Sequence, residues 1–432
     1  MPATVAIVDV RRIATPLVRR LFLGHFLNAL GSGLTLALIV VYLHSIRGIP
    51  ISSATGLLAW QALLGLVLSA PAGTLVDRFG PRPVLLVAIL AEALGVLALG
   101  RVTVLEQAFA AVTLMAIGTV GIWGPASALT ARLVAPTDRP TAFGVSFMLL
   151  NLGLGLGGLI GATIVDLADP TTFTLLYTLD ASTYLAYFLA VLSLGDVGAM
   201  PADAEADEPA ADAPNAAGST GWGEVLRDRA LLRFAAAGLM MLTFGYGSID
   251  AGASLFITKF AGLDEHYIGI IFAANTAVIV VMQLFVLSMV AGRSRSRVLA
   301  GVAVLWGCSW VLFGLSLGLP EWAAVGLLVA AISVFALGET MWSPVAPALL
   351  NDLAPEHLRG RYNSFQSMMW GLSGALGPLL TGAFLSAGRG RLWTLALAAG
   401  CGLAALMALG LRRHLTPAQD GLHPAATPPD PG

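Results

Sequence analysis

The sequence predicts an all-α membrane protein, with twelve transmembrane helices in two six-helix bundles. Three observations carry this reading. Charged residues make up only 11 % of the 432 residues and hydrophobic ones 57 %, whereas soluble domains carry about 25 % charged residues. Apolar runs of about 20 residues, the length that crosses a ~30 Å hydrocarbon core as helix, recur from end to end. Barrel strands would alternate polar and apolar residues, and these runs do not. The third observation is that the later part of the chain repeats the pattern of the earlier part.

The spans follow in order. The first, near 20–44, comes after Arg11, Arg12, Arg19 and Arg20 and is too long for a signal-peptide core, so it is a retained helix. Spans two and three, near 53–76 and 83–100, flank the charged connector GTLVDRFGPRP, Gly73 to Pro83. Spans four to six lie near 107–131, 141–166 and 173–195. In span five Gly153, Gly157 and Gly161 recur every four residues and so share one helix face. Such a face lets another helix approach closely, a packing role.

After span six comes GAMPADAEADEPAADAPNAAGSTG, which has no large apolar residue after Met200. It cannot bury enough surface to fold, so it reads as a disordered linker. WGEVLRDRALLRF then reads as an amphipathic helix on the inner membrane surface. Spans seven to twelve lie near 231–258, 266–290, 297–317, 322–349, 362–386 and 392–411, and Gly377-Pro378 permits a bend in span eleven. The resulting division is a first bundle over 1–197, a linker over 198–229, a second bundle over 230–413 and a disordered tail over 414–432. Cys308 and Cys401 sit within apolar runs and read as small buried hydrophobes, not as a disulfide or metal pair.

Sidedness follows from the basic residues. With the N-terminus inside, 18 Lys and Arg fall on the cytoplasmic side and 5 outside, which places both termini in the cytoplasm. The scarcity of lysine suggests a bacterial genome, and the expected location is the plasma membrane of a bacterium. The repeat is specific. Trp123-Gly-Pro125 and Ala135-Pro136 match Trp342-Ser-Pro344 and Ala354-Pro355 at an offset of 219, and Arg139, Phe143 and Gly155 match Arg361, Phe365 and Gly377 at 222. Parallel repeats of this kind are one transporter plan.

The connector now identifies a family resemblance. The pattern G-x-L-x-D-R-x-G-x-[KR] stands here as Gly73, Leu75, Asp77, Arg78, Gly80 and Arg82. It resembles the motif between helices two and three of the major facilitator superfamily. LYTLDASTYLAYFLAVLSL and LRGRYNSFQSMMWGLSGALGPLLTG are similar to segments of its bacterial macrolide and siderophore exporters. NLGLGLGGLIG is similar to the antiporter motif of drug exporters but lacks its proline, and Leu114 stands where many proton-linked exporters carry an arginine. The connector in the second half, VAGRSRSRV, keeps Arg293, Arg295 and Arg297 but no aspartate. The resemblance implies that Asp77 latches onto the start of helix eleven, near Arg361 to Ser364, when the cytoplasmic gate is shut.

Four carboxylates lie well inside the spans: Glu92, Asp180, Asp250 and Glu339. Such residues usually face a cavity or a partner. Asp180, in the LDAST segment, either bonds a neighbouring helix or is a candidate for proton or substrate. Glu92 falls on helix three, which the family plan makes peripheral. Thr243, Tyr246, Asp250 and Ser254 form one stripe, and His25, Asn28, Ser32 and Thr35 another. The resemblance places helices one, four, seven and ten around a central cavity, so Asp250, Glu339, His25, Asn28 and Tyr246 are candidates for proton or substrate contact. Trp123, Trp342, Trp370 and Tyr246 are candidates for stacking on substrate.

No Walker loop, HExxH or nucleophile elbow occurs, so no enzyme is expected. No cofactor, metal or nucleic acid is expected either. The partners are a small-molecule substrate, the lipid bilayer and protons, and a monomer is expected. The leading functional reading is a secondary active exporter of a small amphipathic molecule working by alternating access. The alternatives are an uptake permease for a polar nutrient and a transport-inactive sensor or assembly factor on the same fold.

Overall fold

A computed structural model describes residues 11–195, 221–264 and 266–422; the side chains of Ala37, Ile51, Asp250 and Ala251 also fall outside the description. The described residues form helices and turns, with no strand among them. The helices are α1 Pro16–Thr35, α2 Ile51–Phe79, α3 Pro81–Leu99, α4 Leu105–Leu133, α5 Arg139–Ile164 and α6 Pro170–Leu192. They continue as α7a Arg229–Phe244, α7b Tyr246–Lys259, α8 His266–Val290, α9 Arg295–Leu315, α10 Glu321–Leu353, α11 Arg359–Leu385 and α12 Gly390–Leu411. Among the described residues, eleven stretches are long and apolar enough to span a membrane. A twelfth is α1 taken together with Ile39–Ile46, bent by 42°.

Local chemistry sets the boundaries. Pro16, Pro81 and Pro170 open their helices, where the missing N–H costs nothing. Thr15, Asp169 and Asp228 accept from the first free amides of α1, α6 and α7a. Gly80, at φ +84°, makes the turn between α2 and α3 that a side chain would strain. Pro125 and Pro344, the repeat-matched prolines, both lie inside helices, α4 and α10.

Two cores form, one per half of the chain. In the first half α1 packs on α5 and α6, and α3 on α4 and α6; in the second, α7 packs on α11 and α12, and α9 on α10 and α12. These contacts in one half therefore have their counterparts in the other. Cross-half contacts match in the same way: α2 with α11, α5 with α8, α5 with α10, and α4 with α11. The outside is apolar, with Leu159, Leu189, Val281, Leu379 and Leu406 each more than 60 % exposed, a surface that requires lipid.

The glycine face of α5 meets α1 backbone to backbone. A Cβ at Gly153 would come within 2.7 Å of the Ala29 methyl, and one at Gly157 within 3.0 Å of the Gly33 Cα. In the second half Gly377 of α11 lies against Gly247 of α7b, and Pro378 follows within an unbroken α11. Of the two free cysteines Cys401 is buried, but Cys308 is exposed, on the outward side of α9.

The ends of the halves differ from expectation in two places. The acidic linker lies outside the described residues, but the amphipathic helix after it shrinks to one turn, Trp222–Val225. Asp228 then caps a new helix, α7a, because its carboxylate takes the amides of Ala230 and Leu231 at 2.8 and 3.1 Å. Val225 is buried in the second core while Leu226 is exposed.

The start of the expected tail is also ordered. Asp420 is buried and accepts from the Ser294 hydroxyl at 2.6 Å and the Ser296 amide at 2.9 Å, while its carbonyl accepts from the Arg295 amide at 2.8 Å. These groups satisfy the free amides at the start of α9. Asp420→Ala is expected to destabilise the protein by about 1–2 kcal/mol through loss of this cap. The check is the thermal midpoint in detergent; a midpoint equal to that of the unmodified protein would mean that the tail does not hold α9.

Candidate functional site

The charged connector and the start of α11 meet at the end of the bundle that carries most arginines, called the basic end below. Asp77, in the last turn of α2, has a side chain only 7 % exposed. Its carboxylate accepts from the Gly360 amide at 2.5 Å and the Arg361 amide at 3.2 Å, and the Arg361 guanidinium lies 3.5 Å away. An anion at a helix N-terminus takes up free amides and favours the helix dipole. The approach needs two glycines: a Cβ on Gly73 would meet the Gly360 carbonyl at 2.8 Å, and one on Gly360 would meet Asp77 Oδ1 at 2.6 Å.

The two arginines of the connector do different work. Arg82 donates to the Val191 and Leu192 carbonyls at 3.2 and 2.8 Å, closing the end of α6 within its own half. Arg78 lies over the Phe79 ring at 5.2 Å. Trp222, just after the linker, donates to Thr74 Oγ1 at 3.3 Å, and Tyr362 donates to Asp228 at 2.6 Å. The entry to the second half thus wraps the same junction.

A second crossing lies at the same end, linked to the start of α11 through Asn351 and Asn363. Arg139, at the start of α5, pairs with Asp352, near the end of α10. Arg139 also donates twice to the Ala131 carbonyl, at 3.2 and 3.1 Å, which fixes it to the end of α4. Arg295 of α9 donates to the other oxygen of Asp352 at 2.6 Å and to the Gln419 carbonyl at 3.1 Å. Asn351 adds contacts to Ser127 of α4 at 3.3 Å and to Asn363 of α11. Repeat-matched Arg139 and Arg361 thus each face an aspartate of the opposite half.

Sequence reasoning missed Asp352. The repeat itself held a signal, because Arg139 occupies the place of Arg361 and needs an acid from the other half.

The membrane-embedded candidates separate into distinct places. The α1 stripe, expected to line water or substrate, turns toward α6: Ser32 and Tyr184 hydroxyls lie 3.1 Å apart, and Thr35 donates to Asp180 at 2.6 Å. His25 stands edge-on to Tyr187 and to Trp123, and Asn28 is buried with its amide nitrogen unpartnered. Glu92 of α3 is also buried, and Thr119 of α4 donates to it at 3.1 Å. Glu339 is buried in the seam between α10 and α8, where Asn275 donates to it at 2.5 Å.

Span seven does not present one continuous stripe. It breaks at Gly245, between Thr243 and Tyr246, where a Cβ would run into the Trp306 ring. The break frees carbonyls that other groups take: Trp310 donates to Phe244 at 2.7 Å and Ser248 to Thr243 at 2.8 Å. Asp250 lies on α7b, with its side chain outside the description.

The aromatic candidates divide by burial. Trp342 is 3 % exposed and packs on Trp306 in the second core, because helix rotation turns it inward. It is therefore not available to stack on a ligand. Trp370 is 37 % exposed and edge-on to Tyr246, with ring centroids 4.8 Å apart. Trp123 is 53 % exposed. Of the three candidate tryptophans, an accessible one thus stands in each half, Trp123 beside His25 in the first and Trp370 beside Tyr246 in the second.

Comparison with known proteins gives consistent matches. A model described as Major Facilitator Superfamily matches residues 21–261 and 235–431. The uncharacterized MFS-type transporter YdeE of Escherichia coli (strain K12) is 24 % identical over 375 residues, covering 85 % of this chain and 88 % of that protein. The multidrug resistance protein MdtH of Aeromonas hydrophila subsp. hydrophila is 25 % identical over 319 residues, covering 72 % and 73 %. Among solved structures, a bacterial homologue of the iron transporter ferroportin in an outward-facing state superposes with a TM-score of 0.74 at 14 % identity, covering 92 % of this chain and 100 % of that one. That likeness speaks for the fold.

Proposed function

Because the chain belongs to the major facilitator superfamily, we propose that it is a secondary active exporter of a small amphipathic molecule, coupled to protons and working by alternating access. The basic end is the cytoplasmic one, with both termini inside the plasma membrane of a bacterium. The observation that carries this reading is the pair of cross-half clasps, Asp77 to the start of α11 and Asp352 to Arg139, at one end of the bundle. Both consist of contacts that must part if the halves rock open at that end. A transport-inactive protein would have no use for two such releasable joints.

The amphipathic substrate is inferred from the accessible aromatic residues and their polar neighbours. Trp123 beside His25 and Trp370 beside Tyr246 offer apolar ring surface with polar tips. Of the embedded acids, the three whose side chains are described, Asp180, Glu92 and Glu339, are each bonded to a neutral neighbour, which favours a solute without high charge. The relative named as a multidrug resistance protein supports the same direction.

The test is dye transport in inside-out vesicles from cells producing the protein, with ethidium as probe. Energised vesicles are expected to accumulate ethidium, and Trp370→Ala and Trp123→Ala are each expected to raise the half-saturating concentration roughly 3–10-fold, as expected for loss of an aromatic contact worth about 0.5–1.5 kcal/mol. A deletion strain with unchanged susceptibility to dyes and antibiotics, but with lost growth on a single nutrient, would instead establish the uptake permease.

A further inference from the structure

The first half encloses two acids that the cross-half clasps do not use. Asp180 of α6 is 2 % exposed and Glu92 of α3 is 4 % exposed, and neither forms an ion pair among the described residues. Their hydrogen-bond donors are neutral hydroxyls, Thr35 at 2.6 Å for Asp180 and Thr119 at 3.1 Å for Glu92. The second oxygen of Asp180, Oδ1, has no partner. Two further buried polar groups close by are also unpartnered: the Tyr177 hydroxyl one turn away on α6, and the Asn28 amide nitrogen on α1.

Among the described residues no cation pairs with either acid. The described basic residues around the pair sit at or beyond the helix ends: Arg19 and Arg20 on α1, Arg47 after Ile39–Ile46 where it donates to the Tyr42 hydroxyl, Arg82 at the start of α3, Arg101 past its end where it donates to the Thr178 hydroxyl of α6 at 3.2 Å, and Arg132 at the end of α4. Arg82 lies ten residues before Glu92, about 15 Å along the helix axis. Among the described residues, the titratable side chains nearer the pair are Tyr42, Tyr177, Tyr184 and Tyr187 and His25 of α1, while α4 contributes the Thr119 hydroxyl. An unpaired carboxylate in hydrocarbon surroundings neutralises itself by taking a proton, since ionisation there is far more costly than in water.

Asp180 also touches a bend. Thr35 is the last residue of α1, and the chain continues as Ile39–Ile46 at 42° to it. The hydroxyl that satisfies Asp180 is therefore fixed at the corner where the first span changes direction. Any straightening of this corner moves Thr35 relative to α6 and changes which form of Asp180 is favoured.

We infer that Glu92 and Asp180 form a proton-binding pair in the interior of the first half, loaded and emptied as the bend at Thr35 changes. This rests on the proton-coupled reading above and locates its proton away from the space between the halves and away from Glu339. The step is a proton transfer alone: a carboxylate oxygen gains H+ from water admitted on one side and returns it to water on the other.

Two measurements test it. Infrared titration of the purified protein is expected to show a protonated-carboxyl band at neutral pH that Asp180→Asn and Glu92→Gln each diminish. In proteoliposomes, the same variants are expected to retain ethidium exchange at equal pH yet lose at least 10-fold of the uptake driven by a pH gradient, with Asp180→Glu restoring part of it. Glu339→Gln serves as the comparison and is expected to keep its gradient-driven uptake. Retained gradient-driven uptake in both Asp180→Asn and Glu92→Gln, or loss confined to Glu339→Gln, overturns the assignment. Were the unmodified protein not to transport ethidium at all, the exporter reading would fail by itself. The infrared titration would still decide the pair, since an unchanged band in both variants would refute it. That band also decides if a variant loses exchange as well.

Discussion

Asp77→Asn is expected to reduce transport at least 10-fold while leaving the yield of folded protein close to normal. The carboxylate accepts two amides at the start of α11 and faces Arg361. Removing its charge gives up a dipole interaction of about 0.3–2 kcal/mol and weakens hydrogen bonds to a charged group worth about 1.5–3 kcal/mol. A loss of about 2–3 kcal/mol shifts the balance between closed and open forms of the basic end by roughly 30–150-fold. Folding is spared because each half keeps its own core.

The shift itself is measurable. A cysteine placed at Ser127, beside Asn351 in the cross-half contact, should react with a water-soluble maleimide faster in the Asp77→Asn background. Transport and labelling rate both equal to those of the parent would show that Asp77 holds nothing shut.

Gly80 is legible in the sequence because a short local turn shows its demand in residue type. Gly73, Asp77 and Arg82 act on the distant start of α11 and end of α6, and stand out through the motif they share with it. A positive φ needs Gly80, a close approach needs Gly73, and a helix start attracts an acid. The twelve spans could be read for a similar reason, since hydrocarbon thickness sets a length that composition reveals. Asp352 could not, because its role depends on the ends of α5, α9 and α10 meeting in space.

Rotation and local breaks account for most of the remaining differences. Trp342 and Trp370 have equal standing as residues in apolar helices, and only the orientation of α10 and α11 decides that the first is buried and the second accessible. The stripe from Thr243 to Ser254 needs an unbroken span, and the helix breaks at Gly245 between Thr243 and Tyr246. On α1 the spacing was right and the direction was not. His25, Ser32 and Thr35 share a face with Asn28, but it is spent on α6. A polar stripe in a membrane helix therefore marks a polar partner before it marks a cavity, because an acid such as Asp180 satisfies it as well as water does.

Asp352→Asn should be the more damaging of the two gate variants, and for a different reason. Asp352 joins two guanidinium groups, and the side chains of Arg139 and Arg295 are only 8 % and 5 % exposed. Breaking a buried ion pair by deleting one partner costs about 3–5 kcal/mol. The two arginines left facing each other add repulsion of about 3 kcal/mol if they sit ~5 Å apart at an effective dielectric near 20. The expected result is a lower thermal midpoint and reduced yield, as well as lost transport.

Double substitution separates the two effects. Adding Arg295→Met to Asp352→Asn removes the surplus charge and should recover most of the stability, but not transport, because no carboxylate then binds α10 to Arg139 across the halves. A charge swap, Arg139→Asp with Asp352→Arg, should fail to rescue, since the new arginine would lie against Arg295. A single Asp352→Asn variant as stable as the parent, with no gain from Arg295→Met, would contradict the joint. If the double variant regained full transport, the crossing would be a fold support alone, and Asp77 would be the gate's only acid clasp.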